Sequence, residues 1–192
     1  MILFFKDFFN KETNMASITD RMIRAAKLDV NLYEEVEADK GAMGQAMGVV
    51  VLSSVAAGIG TIGAMGIQGL VLGTIAALLG WFIWAFLTYF IGTRLLPEPQ
   101  TKADYGELLR TIGFSSSPGV LRVLGIIPML GSILSFIFGI WMLVAMVIAV
   151  RQALDYKSTW RAVGVCLIGW IVQIVIFGIF FGLAGGFGDS QG

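Results

Sequence analysis

Two groups of residues in this sequence have types and spacings from which chemistry could be built. The first is Ser115, Ser116 and Ser117 before Pro118, with Arg122 just beyond. Three hydroxyls, a guanidinium and the backbone groups freed at a proline break can hold an anion or a lipid headgroup. The second is the acidic patch Tyr33, Glu34, Glu35, Glu37 and Asp39, together with the basic loop residues Arg151, Lys157 and Arg161. Such carboxylates can dock a basic partner or bind a divalent ion. A solvated charge run closed by intrachain ion pairs is the plainer alternative. The familiar catalytic sets are missing. The chain has no histidine and one cysteine, which removes His-based metal and haem sites, Ser-His and Cys-His catalysis, and an internal disulfide framework. It carries no Walker loop, Gly-x-Ser-x-Gly or Cys-x-x-Cys. Gly58, Gly60 and Gly63 mimic a dinucleotide fingerprint but lie in an apolar run with no strand before it. We expect no enzyme activity, no cofactor and no metal.

The elements that position these residues are membrane helices. Of the 192 residues, 57% are hydrophobic and 14% charged, and the mean hydropathy is +0.84. A soluble domain carries about a quarter of its residues as charges, so too few are present to cover a water-facing surface. The 13 basic and 13 acidic residues cancel, which gives no reason to expect a nucleic-acid partner.

Residues 41–93 contain no Asp, Glu, Lys or Arg. A crossing needs roughly 20 apolar residues, so this run holds two spans, near 42–65 and 70–91, with a turn at Gly66-Ile67-Gln68-Gly69. The second ends in Trp81, Phe82, Trp84, Phe86, Tyr89 and Phe90 before Arg94, as a helix does on leaving the bilayer through the headgroups. Two later uncharged runs predict spans at 131–150 and 163–183. Residues 105–127 are either a span kinked at Ser117-Pro118 or a surface helix feeding one long span. Charge placement favours the kinked span. With five crossings and the N-terminus inside, every basic residue except Arg122 falls on the cytoplasmic side, as the positive-inside bias requires. The expected fold is therefore all-α: a polytopic membrane helical bundle of five transmembrane helices, the third broken at Ser117-Pro118. Residues 1–40 form a cytoplasmic segment, 41–185 the membrane domain and 186–192 a short outer tail.

The cytoplasmic segment does not read as a signal peptide, because its apolar core is short and interrupted by Lys6 and Asp7. Met15 is an equally good start to Met1. An amphipathic helix begins at Ser17, with Arg21, Arg24 and Lys27 on its basic face, able to lie on anionic lipid or to pack on the bundle. A second short helix follows, with Asn31 and Glu34 at capping-box spacing.

The pattern Leu28-Asp29-x3-Tyr33-Glu34-Glu35-Val36-Glu37-Ala38-Asp39 before a Gly/Ala-rich span resembles the bacterial branch of the YIP (Ypt/Rab-interacting protein) family of integral membrane proteins. So do the aromatic end of the second span, the Ser117-Pro118 break and Trp141. The loop Ala149-Val150-Arg151-Gln152-Ala153-Leu154-Asp155-Tyr156, leading to Trp160-Arg161-Ala162, is the most specific match. The resemblance implies five spans and a cytoplasmic N-terminus, and brings no catalytic residues. Eukaryotic members bind Rab GTPases through long N-terminal regions. Residues 1–40 are too short for that role to carry over.

Ionisable residues inside a span cost about 2.5–3.5 kcal/mol and so mark function by default. The clearly spanning runs contain none and Arg122, just beyond the Pro118 break, is the one exception, which argues against an ion-coupled carrier. Arg122 would hold an anion with the serines, or else reach the outer interface or local carbonyls. Gln173 would make an interhelical hydrogen bond, and the small-residue pairs Gly44/Gly48, Gly69/Gly73/Ala77 and Gly178/Gly182 would pack helices closely. The expected protein is a non-enzymatic membrane organiser or docking protein of the bacterial inner (cytoplasmic) membrane, its C-terminus outside. Its partners are the lipid bilayer and either a protein or a second copy of itself. The alternatives are a small conduit or lipid-handling protein built on the broken third span, or an accessory subunit of a larger complex.

Overall fold

A run of apolar residues in hydrocarbon must satisfy its own backbone, and helices do this within each segment. A computed structural model of the chain describes residues 17–60, 62–127 and 130–186, and every regular element among them is helical. The order is α1 (Ile18–Ala26), α2 (Val30–Ala38), α3 (Met43–Gly60), α4 (Ile62–Phe90), α5 (Tyr105–Ser115), α6 (Gly131–Ala153) and α7 (Thr159–Gly186). Short 3-10 turns occupy Lys40–Ala42, a π-helical turn continues α4 over Ile91–Leu95, and a 3-10 segment over Ser117–Ile126 extends α5. Four stretches among the described residues are long and apolar enough to cross a membrane: Lys40–Ile59, Gly66–Leu95, Gly131–Ala153 and Thr159–Ile176. The expected starts at Met1 or Met15, the outer tail beyond Gly186 and the interruption at Pro128 lie outside the described residues.

Local chemistry explains most boundaries. The Ser17 hydroxyl accepts from the Thr19 amide at α1, and α1 stops where Leu28 takes φ +62°. The cap of α2 is Asp29, which accepts the Asn31 amide at 3.0 Å, and not Asn31 as the spacing suggested. The chain leaves α1 in a left-handed turn, so Asp29 is the first extended residue and reaches the free amides first. A true capping box opens α5: Asp104 accepts the Glu107 amide at 2.9 Å while Glu107 accepts the Asp104 amide at 2.7 Å. The reversal after α3 turns at Gly66 (φ +63°, ψ −172°), at the leading edge of the expected Gly66–Gly69 turn. That backbone shape is open to glycine and strained for other residues.

The relative directions of the helices follow from their closest approaches. A methyl on Gly106, Gly113 or Gly119 would meet Met43, Ala46 or Ser53 in turn, so α5 and its 3-10 extension run parallel to α3. Against α4 the order reverses: the Tyr105 hydroxyl donates to Phe82 O at 2.8 Å, and Trp81 Nε1 to Leu109 O at 3.0 Å. Gly58 faces Leu70, Gly119 faces Met142 and Gly169 faces Trp84, which sets α3 against α4, the 3-10 segment against α6, and α4 against α7. The core gathers around α5, where Leu108, Leu109, Ile112 and Phe114 pack with Leu32 and Val36 of α2 and Val49 and Val50 of α3. Every residue of α5 from Leu108 to Ser115 is buried. That burial includes Arg110, which the sequence reading treated as an ordinary cytoplasmic cation.

Candidate functional site: a braced N-terminal hairpin and an intramembrane cavity

The acidic patch is built into the fold. Glu35 and Asp39 lie one helical turn apart and meet Arg21 and Arg24, three apart on α1. Arg21 is 4% exposed. Its Nε donates to Glu35 at 2.9 Å, its Nη2 to Asp39 at 2.8 Å and its Nη1 to the Gln45 amide oxygen at 2.9 Å. Arg24 donates to Glu35 at 2.6 Å and to Asp29 at 2.9 Å. From the opposite side, Arg110 donates from Nε to Val36 O at 2.8 Å and from Nη2 to Glu37 O, satisfying carbonyls at the α2 C-terminus. Tyr33 is fully buried, its hydroxyl 3.4 Å from Ala25 O. Internal pairing of the patch with Arg151 or Arg161 does not occur among the described residues, because the α1–α2 hairpin brings Arg21 and Arg24 closer.

The 151–161 loop has its own closure. The Arg151 guanidinium donates to the carbonyls of Tyr156 at 3.1 Å and Lys157 at 3.4 Å. The Tyr156 hydroxyl lies 3.0 Å from Gly92 O and 2.7 Å from Leu96 O, where the π-helical turn leaves carbonyls displaced from ordinary partners. Arg161 pairs with Glu98 at 3.2 Å and donates to Pro97 O at 3.1 Å. Glu98 also accepts the Lys157 amide at 3.1 Å. That leaves Glu34, which accepts from Gln152, as the acidic-patch residue that faces outward, with Lys157 and Trp160 exposed on the loop.

The other sequence candidates fall around a cavity of about 880 Å³ walled by α3, α4, α5, the 3-10 segment, α6 and α7. Ser115, Ser116 and Arg122 line it. Ser117 does not; it is buried and donates to Phe114 O at 2.6 Å. Gln173 also lines the cavity and makes no hydrogen bond to another described residue, so the expected interhelical bond is absent there. The helix-packing reading of Gly69, Gly73 and Ala77 is corrected too. All three line the cavity, and a methyl on Gly73 would meet nothing within 4 Å. Gly48 does pack, 3.6 Å from Ile18 of α1, whereas Gly44 meets nothing. The packing of Gly178 and Gly182 lies outside the described residues.

The Yip1 domain family model matches residues 36–180. The chain belongs to the Yip1 domain family. No curated protein and no solved structure matches it. The Yip1 domain contains every residue that lines the cavity, and it contains the loop that caps the π-helical turn. Arg21, Arg24 and Glu35 lie ahead of it. The protein is an integral membrane protein of this family, as the loop residues and apolar runs implied.

Four contributors to the Yip1 domain escaped the sequence reading: Arg110, Trp84, Ser53 and Ser135. Ser53 and Ser135 stand in otherwise apolar runs, a signal that could have been read. Arg110 carried none, because only the fold shows that α2 covers α5. Glu37 beside it has an unusual environment. Burial pushes its carboxyl up to about 8, aided by repulsion from Glu34, Glu107 and Asp155 and opposed by Arg110. Below the ordinary value of 4.5 both states hold the proton; between 4.5 and about 8 the folded state holds more of it. Stability contributed by this proton is therefore lost as pH rises across that window. Thermal unfolding in mild detergent from pH 5 to 9 is expected to show this decline, and Glu37→Gln to flatten it. An unchanged slope would refute the assignment.

Proposed function

We propose that this Yip1-domain protein is a non-enzymatic membrane organiser that crosses the bilayer five times and docks partners on its cytoplasmic face. The broken third crossing is α5 with its 3-10 extension. Eleven α residues and ten 3-10 residues reach roughly 36 Å at about 1.5 and 2.0 Å each, against a core of about 30 Å. The direction of α5, parallel to α3 and opposite to α4, supports the count. The placement of the described basic residues other than Arg122 toward the end that carries α1 and α2 supports a cytoplasmic N-terminus and an outer C-terminus, in the cytoplasmic membrane.

The observation that carries the docking role is the pinning of α1 and α2 onto the bundle by Arg21, Arg24 and Arg110. A platform ordered in advance loses little entropy when a partner arrives. The groups it leaves outward include Lys27, Glu34, Lys40, Lys157 and Trp160, while Glu35, Asp39 and Arg151 brace it from within and the exposed Arg161 closes on Glu98. Reporters at the two termini are expected to read opposite sides of the membrane. Affinity purification from native membrane is expected to recover a protein that is lost, at unchanged thermal stability, from a Glu34→Lys, Lys157→Glu variant. Matching reporters would remove the five-span reading, and an unchanged recovery would remove the docking face. The cavity favours a second reading, lipid handling within the same bundle.

A further inference from the structure

The cavity carries hydroxyls, one side-chain amide and a single charged group. Among the described residues Arg122 is the sole charged one lining it and no carboxylate faces it, and the buried Arg122 Nε has no hydrogen-bond partner there. Trp84 lines the same space at 8% exposure, and its Nε1 is likewise buried without a partner. An indole N–H can only donate and a guanidinium can only donate, so both unsatisfied groups ask for an acceptor. The hydroxyls of Ser116 and Ser135 on the wall make no hydrogen bond to other described residues. Each buried donor left without an acceptor costs stability that an arriving acceptor would restore.

The space is also held open. A methyl on Gly73, Gly80 or Gly139 would meet nothing within 4 Å, so these glycines face open space along the cavity rather than a helix contact. Gly73 and Gly80 are seven residues apart and share one face of α4. The remaining wall is apolar, with Phe136, Ile140 and Leu143 of α6. A volume of about 880 Å³ lies within the range of formed ligand sites, about 300–1,000 Å³.

We propose that the cavity binds a phosphate-bearing lipid, its phosphate held by Arg122 and an acyl chain laid along the α6 wall. The proposal rests on the lipid-handling reading and names its ligand. A phosphate offers several acceptor oxygens and the negative charge that Arg122 lacks nearby, and a guanidinium suits it better than an ammonium. The apolar wall suits the chain that a free anion does not have.

The test uses the full protein, delipidated in a maltoside detergent, with bound lipid counted by native mass spectrometry. Dihexanoyl-phosphatidylglycerol is expected to be retained at least about tenfold better than dihexanoylglycerol, which lacks the phosphate. Arg122→Gln is expected to abolish that preference, at unchanged or higher thermal stability of the empty protein. Gly139→Phe, which fills the void and leaves both donors in place, is expected to exclude both lipids. Equal retention of the two lipids, no retention, or an Arg122→Gln variant that still discriminates would each overturn the site. Inorganic phosphate that competes as well as the phospholipid would overturn the lipid assignment in favour of a free anion. Transfer of a fluorescent phospholipid between vesicles is measured in parallel. Transfer that persists in Arg122→Gln removes the phosphate site and leaves lipid handling standing; specific retention without transfer does the reverse.

Discussion

Replacing Arg21 by alanine is expected to cost about 3 kcal/mol of stability, toward the low end of the cost of breaking a buried ion pair because its partners keep some solvent. The guanidinium is 5% exposed, while the side chains of Glu35 and Asp39 are each 33% exposed. Its three donors reach three acceptors on α2, the α2 terminus and α3, so a single truncation loosens α1 from α2 and from α3 at once. Arg24 remains on Glu35, but Asp39 and Gln45 lose their partner. Arg21→Lys is expected to recover only part of the loss, because one ammonium cannot reproduce a planar fork. Differential scanning of the purified protein checks the size, and protease cleavage between α1 and α2 checks that the hairpin is what loosens. The acid side gives an independent reading. Burial pushes the Glu35 carboxyl up, but hydrogen bonds from Arg24 and Arg21 together outweigh it and leave it below 4.5. The Arg21 hydrogen bond holds Asp39 below 3.8 against the opposing effect of burial. Stability from lowered carboxyl values is present above those ordinary values and is lost as pH falls through the folded ones. Wild type is thus expected to weaken below about pH 4.5, and Arg21→Ala to weaken less steeply. A loss under 1 kcal/mol with an intact hairpin would show that the network is ornamental.

The membrane elements were legible because hydropathy is a local property. Uncharged runs located α3, α6 and α7 to within a few residues and α4 apart from its first two turns, and the chain changes from α-helix to a 3-10 segment at Ser117. The destinations of polar side chains were less legible, since they depend on which helices meet. The i, i+4 spacing of Glu35 and Asp39 and the i, i+3 spacing of Arg21 and Arg24 did signal a pair of facing helices. Charge alone groups the patch with Arg151, Lys157 and Arg161 as a docking face and does not show which cations close on it. Glycine misled for a related reason. Small residues at helical spacing permit close packing, yet the same spacing also permits a void, and only the neighbouring helices decide between them. Gly48 went one way and Gly73 the other. Ser115, Ser116 and Arg122 were singled out for their types, and the fold brings them to one cavity; Trp84 was read as part of an aromatic girdle and proved to be its other unsatisfied donor.

The junction of α4 with the 151–161 loop should be the second most sensitive point. A methyl on Gly92 would stand 2.4 Å from Leu154 Cδ1 and 2.7 Å from its Cδ2. A leucine tip can usually turn aside, but Leu154 is fully buried and its backbone is fixed on both sides. Its amide donates to Val150 O at 3.1 Å, the Tyr156 amide donates to Arg151 O at 2.9 Å, and Asp155 holds φ +53°. Gly92→Val is therefore expected to destabilise by about 3 kcal/mol, the upper part of the overpacking range. The added bulk also pushes Leu154 and the following Tyr156 away from the π-helical turn, whose Gly92 and Leu96 carbonyls share the Tyr156 hydroxyl. Burial raises that hydroxyl to about 12, so it stays a donor at any working pH, and no pH change can mimic its loss. Gly92→Ala with Leu154→Ala separates steric from conformational effects. Leu154→Ala alone removes a buried side chain at about 2–5 kcal/mol, but it also clears the space the new methyl needs. The double variant is expected to lose about 1–2 kcal/mol less than the sum of the single losses. Strict additivity would mean that Leu154 is not what excludes a side chain at position 92.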